Sequence, residues 1–162
     1  MARTYNPSSY DDHFCLKPPA LLWLAVLYLS RTFLLLVIYV VSSVSRISPD
    51  ALATLRGTVS IYAFVPALVA APVLVALLRR APSATSLVRW FWAHGRTILI
   101  LAAILDCAVS VGGAGLGDGD VTNLSPVSLL AALFDIYFLV YILATRRVRD
   151  TFADFPAPAA GP

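Results

Sequence analysis

Residues 20–41 read ALLWLAVLYLSRTFLLLVIYVV, a 22-residue apolar run interrupted by one charge, Arg31. A helix rising ~1.5 Å per residue would carry such a run across the ~30 Å hydrocarbon core of a bilayer. An arginine halfway along is costly at that depth unless a counter-charge meets it. Two carboxylates stand in comparable surroundings, Asp106 and Asp135, each inside its own apolar run. The stretch therefore sets two expectations: an all-α, polytopic membrane protein, and a charge pair within the membrane.

Three further apolar runs follow, at 59–78, 97–111 and 126–145. With the first they predict a four-helix bundle. The chain divides into a leader (1–19), a four-span membrane domain (20–145) and a tail (146–162) that is basic, then rich in Pro and Ala. Of the 162 residues 59% are hydrophobic and 13% charged. Soluble domains are about a quarter charged, so no separate soluble domain is expected.

The basic residues set the orientation. The leader, the segment 79–96 and the tail carry nine Lys/Arg between them, whereas the loops after the first and third runs carry two. Lys and Arg collect on the cytoplasmic side, which predicts four spans with both termini in the cytoplasm. A polar leader followed by a run too long for a signal h-region argues against a cleavable signal peptide.

Between the runs the signals are weaker. Pro18-Pro19 suits the first turn of a helix, where a missing N–H costs nothing. Ser48-Pro49-Asp50 fits a helix start, so the first connector is either a short interfacial helix or a plain link. Pro66 and Pro72 are each expected to remove a hydrogen bond and kink the second span. Arg79, Arg80, Arg89 and Arg96 flank Trp90, Phe91 and Trp92, which read as an interfacial aromatic belt. The third run is short unless a helix from about residue 87 continues into it. Residues 112–123 read as a flexible glycine-rich turn: they lack the Lys-Ser/Thr of a phosphate loop and the Gly and Glu of a calcium loop. The tail after Phe155 is expected to be disordered.

Counting residues from the predicted cytoplasmic ends places Arg31, Asp106 and Asp135 all at roughly 13–17 Å depth, near the bilayer midplane. One Arg against two Asp leaves a negative excess. One Asp is thus expected to pair with Arg31 and the other to be neutral at pH 7; if the group is a structural pin, that second Asp would be hydrogen-bonded to Tyr137, Tyr141 or a serine. The group reads either as a pin that fixes helix packing or as a proton or cation relay.

Other chemistry is sparse. The chain has no Glu, and its two histidines, His13 and His94, lie in separate polar segments. There is no Ser-His-Asp order and no HExxH motif. Asp11-Asp12-His13 reads as a solvated turn before a metal site. Cys15 and Cys107 are not expected to meet. No cofactor, metal, enzymatic activity or nucleic-acid partner is expected.

The ends of the chain carry a resemblance. Tyr5-x-x-x-x-Tyr10-Asp11 with Leu16-Lys17-Pro18-Pro19, Arg31, and the closing Arg147-Val148-Arg149-Asp150-x-Phe152-Ala153-Asp154-Phe155-Pro156 resemble a family of small bacterial inner-membrane proteins catalogued as a domain of unknown function. The resemblance implies a bacterial inner membrane and four spans, and brings no activity, cofactor or catalytic residue. It marks Lys17, Pro18, Pro19, Phe152, Phe155 and Pro156 as cytoplasmic motifs that either pack together or dock a partner. The expected role is an accessory or assembly subunit of a larger membrane complex, with lipid and another membrane protein, or itself, as partners. The alternative is a small oligomeric proton- or cation-coupled transporter or channel using Arg31, Asp106 and Asp135.

Overall fold

The computed structural model describes residues 5–11, 15–44, 61–115 and 126–156. Among these the chain is all-α, with seven helices: α1 (Ala20–Leu29), α2 (Arg31–Val44), α3 (Phe64–Leu78), α4 (Ser86–Ala93), α5 (Gly95–Gly115), α6 (Pro126–Ala144) and α7 (Arg146–Ala153). Short 3₁₀ turns lie at Pro7–Ser9 and Ile61–Ala63. The described residues form no strand; Tyr10 and Leu16 make one isolated antiparallel bridge.

The first apolar run is not one helix. It breaks at Ser30, where α1 and the first part of α2 meet at 65°. Sharp kinks need a cause, and no proline is near. Here the Arg31 guanidinium donates to the Tyr28 carbonyl at 3.1 Å, so a side chain takes a main-chain acceptor at the break. Around it the ladder persists: Ser30 N–H reaches the Val26 carbonyl and Leu34 N–H the Ser30 carbonyl, both at 3.0 Å.

Of the two prolines in the second run, only Pro72 lies in the helix interior. Pro66 falls in the first turn of α3, where its missing N–H would have had no partner in the helix. At 15 residues α3 is shorter than a typical span. The third run is longer than its apolar core suggests. It begins at Gly95, after a break at His94 that separates it from α4, and continues to Gly115, into the first four residues of the predicted turn. α6 follows the predicted fourth run almost to the residue, and among the described residues two helices, α5 and α6, are long and apolar enough to cross a membrane, three if α1 and α2 form one broken span.

Leu22, Val26 and Leu29 of α1, Ala70 and Val73 of α3, and Leu99, Ala102 and Ala103 of α5 make the centre of the core. The alanines let these helices approach closely, as small residues do where apolar packing rather than water exclusion holds helices together. α6 leans mainly on α5 and turns Leu130, Leu133, Ile136 and Val140 outward. The tail is not loose after 146. α7 buries Val148, Thr151 and Phe152, three and four residues apart on one face. The predicted connector helix, most of the acidic turn, Asp12, His13 and the disorder expected after Phe155, apart from Pro156 (which is buried), lie outside the described residues.

Candidate functional site

Two polar constellations stand inside this apolar frame. The first centres on Arg31, which opens α2. Its Nη1 donates to Asp106 Oδ2 at 2.5 Å and its Nη2 to Oδ1 at 3.2 Å, a two-pronged bond from a planar fork to a carboxylate. The guanidinium carbon also lies 4.3 Å from the Tyr28 ring centroid. Tyr28 stands three residues before Arg31, the spacing at which helical neighbours share a face. Asp106, on α5, is only 3% exposed.

Asp135, on α6, is fully buried, and neither of its carboxylate oxygens has a hydrogen-bond partner among the described residues. Asp106, Arg31 and Tyr28 all lie within its electrostatic reach, Asp106 and Tyr28 near enough to interact side chain to side chain, but none completes a well-formed hydrogen bond to it. The Tyr28 hydroxyl donates instead to the Ala131 carbonyl at 3.1 Å, while its ring packs on Phe138 with centroids 5.2 Å apart. Cys107 lies close enough to feel both carboxylates. Buried beside Tyr28 and Arg31 in the chain, Ser30 Oγ also lacks a partner among the described residues.

The second Asp proves to be Asp135, and neither of the tyrosines offered as its partner, Tyr137 and Tyr141, bonds it. Two residues along a helix turn the chain ~200° and six turn it ~240° past a full revolution, so both point away from Asp135. Tyr137 faces outward at 53% exposure, and Tyr141 lies near Arg147. The ring beside Asp135 is that of Tyr28. Its spacing to Arg31 was the readable signal.

The second constellation gathers one end of the bundle. Arg80 follows α3, and its side chain is 5% exposed. It lies over the Trp92 ring at 4.9 Å and donates to the main-chain carbonyls of Leu16 (2.8 Å) and Asp154 (3.0 Å). Trp92 Nε1–H is shared between the carbonyls of Thr151 (3.2 Å) and Asp154 (3.1 Å). The Asp154 carboxylate accepts the Leu16 N–H at 2.7 Å, and Tyr5 donates its hydroxyl to Asp150 at 2.6 Å. The leader, the segment after α3 and the closing motif are thereby tied together.

Arg89 repeats the pattern. It donates to the carbonyls of Pro82 (2.6 Å), Pro156 (3.0 Å) and Ala84 (3.2 Å) and covers the Phe155 ring at 4.9 Å. Arg96 caps the end of α6 through the carbonyls of Ile142 (3.3 Å) and Leu143 (3.1 Å), which the helix itself leaves unpaired. The expected aromatic belt is divided: Trp90 faces outward, whereas Trp92 is 1% exposed and belongs to the core. Trp92 packs against Phe152 with the rings tilted at 46° and their centroids 4.9 Å apart, and the Phe152 ring rests on Gly95, where an added Cβ would come within 2.5 Å of it.

Of the six residues marked at the chain ends, Phe152 and Pro156 are buried in these contacts, Pro18, Pro19 and Phe155 are half-buried, and Lys17 is exposed. Pro19 caps α1, its carbonyl accepting from Leu22 at 2.9 Å. Burial, and then the charge of Asp154, push the Cys15 thiol above its ordinary pKa, against a smaller opposing pull from Arg80. Among the described residues no cluster of His, Cys and Asp could hold a metal.

A family model described as "Protein of unknown function (DUF2919)" matches residues 5–154. The chain belongs to this family. The matched range begins at Tyr5 and ends at Asp154, two residues that anchor the terminal constellation. No curated protein and no solved structure matches the chain.

Proposed function

We propose that this DUF2919 protein is a non-enzymatic bacterial inner-membrane protein with four spans and both termini in the cytoplasm, acting as an accessory or assembly subunit of a larger membrane complex. The observation that carries the reading is the terminal constellation. Leader, residues 79–96 and closing motif meet at one end of the bundle through Arg80, Trp92 and Asp154. Segments that share one face are joined by an even number of crossings. Two crossings between leader and middle segment, and two between middle segment and tail, fit four spans, with α1–α2 as one broken span and α3 as a short one. The three basic segments then face the cytoplasm together, in keeping with the distribution of Lys and Arg.

The same constellation supports a structural role. Its polar groups are spent on the chain's own carbonyls and rings rather than converging on an open cleft. The outward faces of α5 and α6 are broad and apolar, with Leu101, Ile104, Leu133 and Val140 each about half exposed, and they suit lipid or neighbouring helices.

A mild-detergent pull-down from native membranes, with mass spectrometry of what is retained, tests the reading. The expected result is a membrane protein recovered in stoichiometric amount and lost when the outward face of α6 is substituted, as in Leu133→Ala with Val140→Ala. Recovery of a homo-oligomer alone would sink the subunit reading in favour of the small transporter. Cysteine labelling at Lys17→Cys and Arg149→Cys in intact and opened cells tests the orientation. Both sites should label only after opening.

A further inference from the structure

Asp135 is the buried charge-bearing group that the fold leaves unanswered. Its side chain is wholly enclosed, and both oxygens lack a hydrogen-bond partner among the described residues. The one guanidinium of the group is already committed, both prongs to Asp106 and one also to the Tyr28 carbonyl. A bare carboxylate in an apolar interior is not tolerated, and buried polar groups are almost always satisfied. Whatever satisfies Asp135 must therefore be something small that enters the group. The group is not sealed, because the Arg31 side chain is 35% exposed and reaches the bundle surface.

We propose that Asp135 is an exchangeable proton site, with Asp106–Arg31 as the fixed ion pair beside it. The groups facing it are Tyr28 from α1, Arg31 from α2, and Asp106 and Cys107 from α5. Without the proton the three charged side chains sum to one negative charge; with it they sum to zero. A proton added to Asp135 makes a neutral acid whose O–H becomes a donor, supplying what Asp106 and Tyr28 approach without satisfying. Proton uptake thus closes the contact between α5 and α6, and release loosens it. The inference depends on the membrane embedding proposed above but not on the subunit role.

Infrared difference spectroscopy of the full-length protein in nanodiscs tests it, with pH titrated in H₂O and D₂O. The expected result is a carboxylic C=O band that titrates reversibly, shifts on deuteration and is lost completely in Asp135→Asn. Where that variant does not fold, Asp135→Glu keeps an acid and moves the band in frequency. In Asp106→Asn the band should persist with an altered midpoint, because the fixed charge beside it is gone. Absence of the band at every pH where the protein is folded would overturn the proposal, since Asp135 would then be permanently ionised. A band of constant intensity that ignores D₂O would overturn it as well, marking a sealed structural donor. Loss of the band on adding Na⁺ at fixed pH would replace the proton with a metal cation. Each of these results can occur with or without a retained partner, so the two readings fail separately.

Discussion

Arg31 and Arg80 each lie beside an aromatic ring inside the fold, yet they are satisfied in different ways. Arg31 meets a carboxylate, Asp106, on another helix. Arg80 meets main-chain carbonyls of Leu16 and Asp154, from the two ends of the chain, with Asp11 more distant at 3.9 Å. The first arrangement is an ion pair that leaves a second acid over. The second uses a cation as a clasp for loops whose carbonyls have no helix or sheet to bond them. An arginine in an apolar setting thus need not imply an acid partner; unpaired carbonyls will do, and a planar five-donor fork serves several at once.

The largest effect is expected at the clasp. Arg80→Ala takes the donor from the Leu16 carbonyl, leaves the Asp154 carbonyl to Trp92 and uncovers the Trp92 ring, and should lower stability by about 3–5 kcal/mol in thermal unfolding in mild detergent. Arg80→Lys should recover less than half, because an ammonium cannot span both acceptors as the fork does. Full recovery with Lys would make the clasp a matter of charge alone and break the comparison.

Arg31→Leu should cost about 3 kcal/mol, since it leaves Asp106 buried and unpaired. Unlike the clasp, this loss is repairable. Arg31→Leu with Asp106→Leu should regain most of it, because removing both members of a buried pair is far cheaper than removing one. A double variant no better than the single would show that Arg31 matters chiefly through the Tyr28 carbonyl and the break at Ser30.

Gly95→Ala sharpens the terminal region by itself. Its Cβ would meet the Phe152 ring at 2.5 Å, and that ring is packed against Trp92. Overpacking of this kind costs about 1–3 kcal/mol. It should appear as faster proteolysis within α7, relieved by Phe152→Leu.

The smallest effect is a pH dependence at Cys15, whose thiol titrates above its ordinary range through burial and then Asp154. A raised folded pKa means the unfolded chain loses its proton first. Stability from this group is therefore level below the ordinary thiol pKa and falls as pH rises through it toward the folded value. Cys15→Ser should flatten that alkaline slope relative to the parent protein. An unchanged slope would place its origin elsewhere.

Residues 126–144 and the pairing of Arg31 with an acid from another run were legible in the sequence for one reason. Long apolar runs and unlike charges at equal depth each leave a pattern in residue type, because the cost of exposing apolar surface or of isolating a charge falls on side chains. Only the tertiary structure decided that Arg31 takes Asp106 rather than Asp135, because the choice depends on the rotation of α5 and α6 about their axes. The break at Ser30, the break at His94 and the burial of Trp92 were equally closed to sequence reading. Each turns on main-chain carbonyls: that of Tyr28 under Arg31, that of Trp90 under His94, and those of Thr151 and Asp154 under Trp92. Every residue carries such an acceptor, so a clasp built on carbonyls leaves no mark in the order of amino acids.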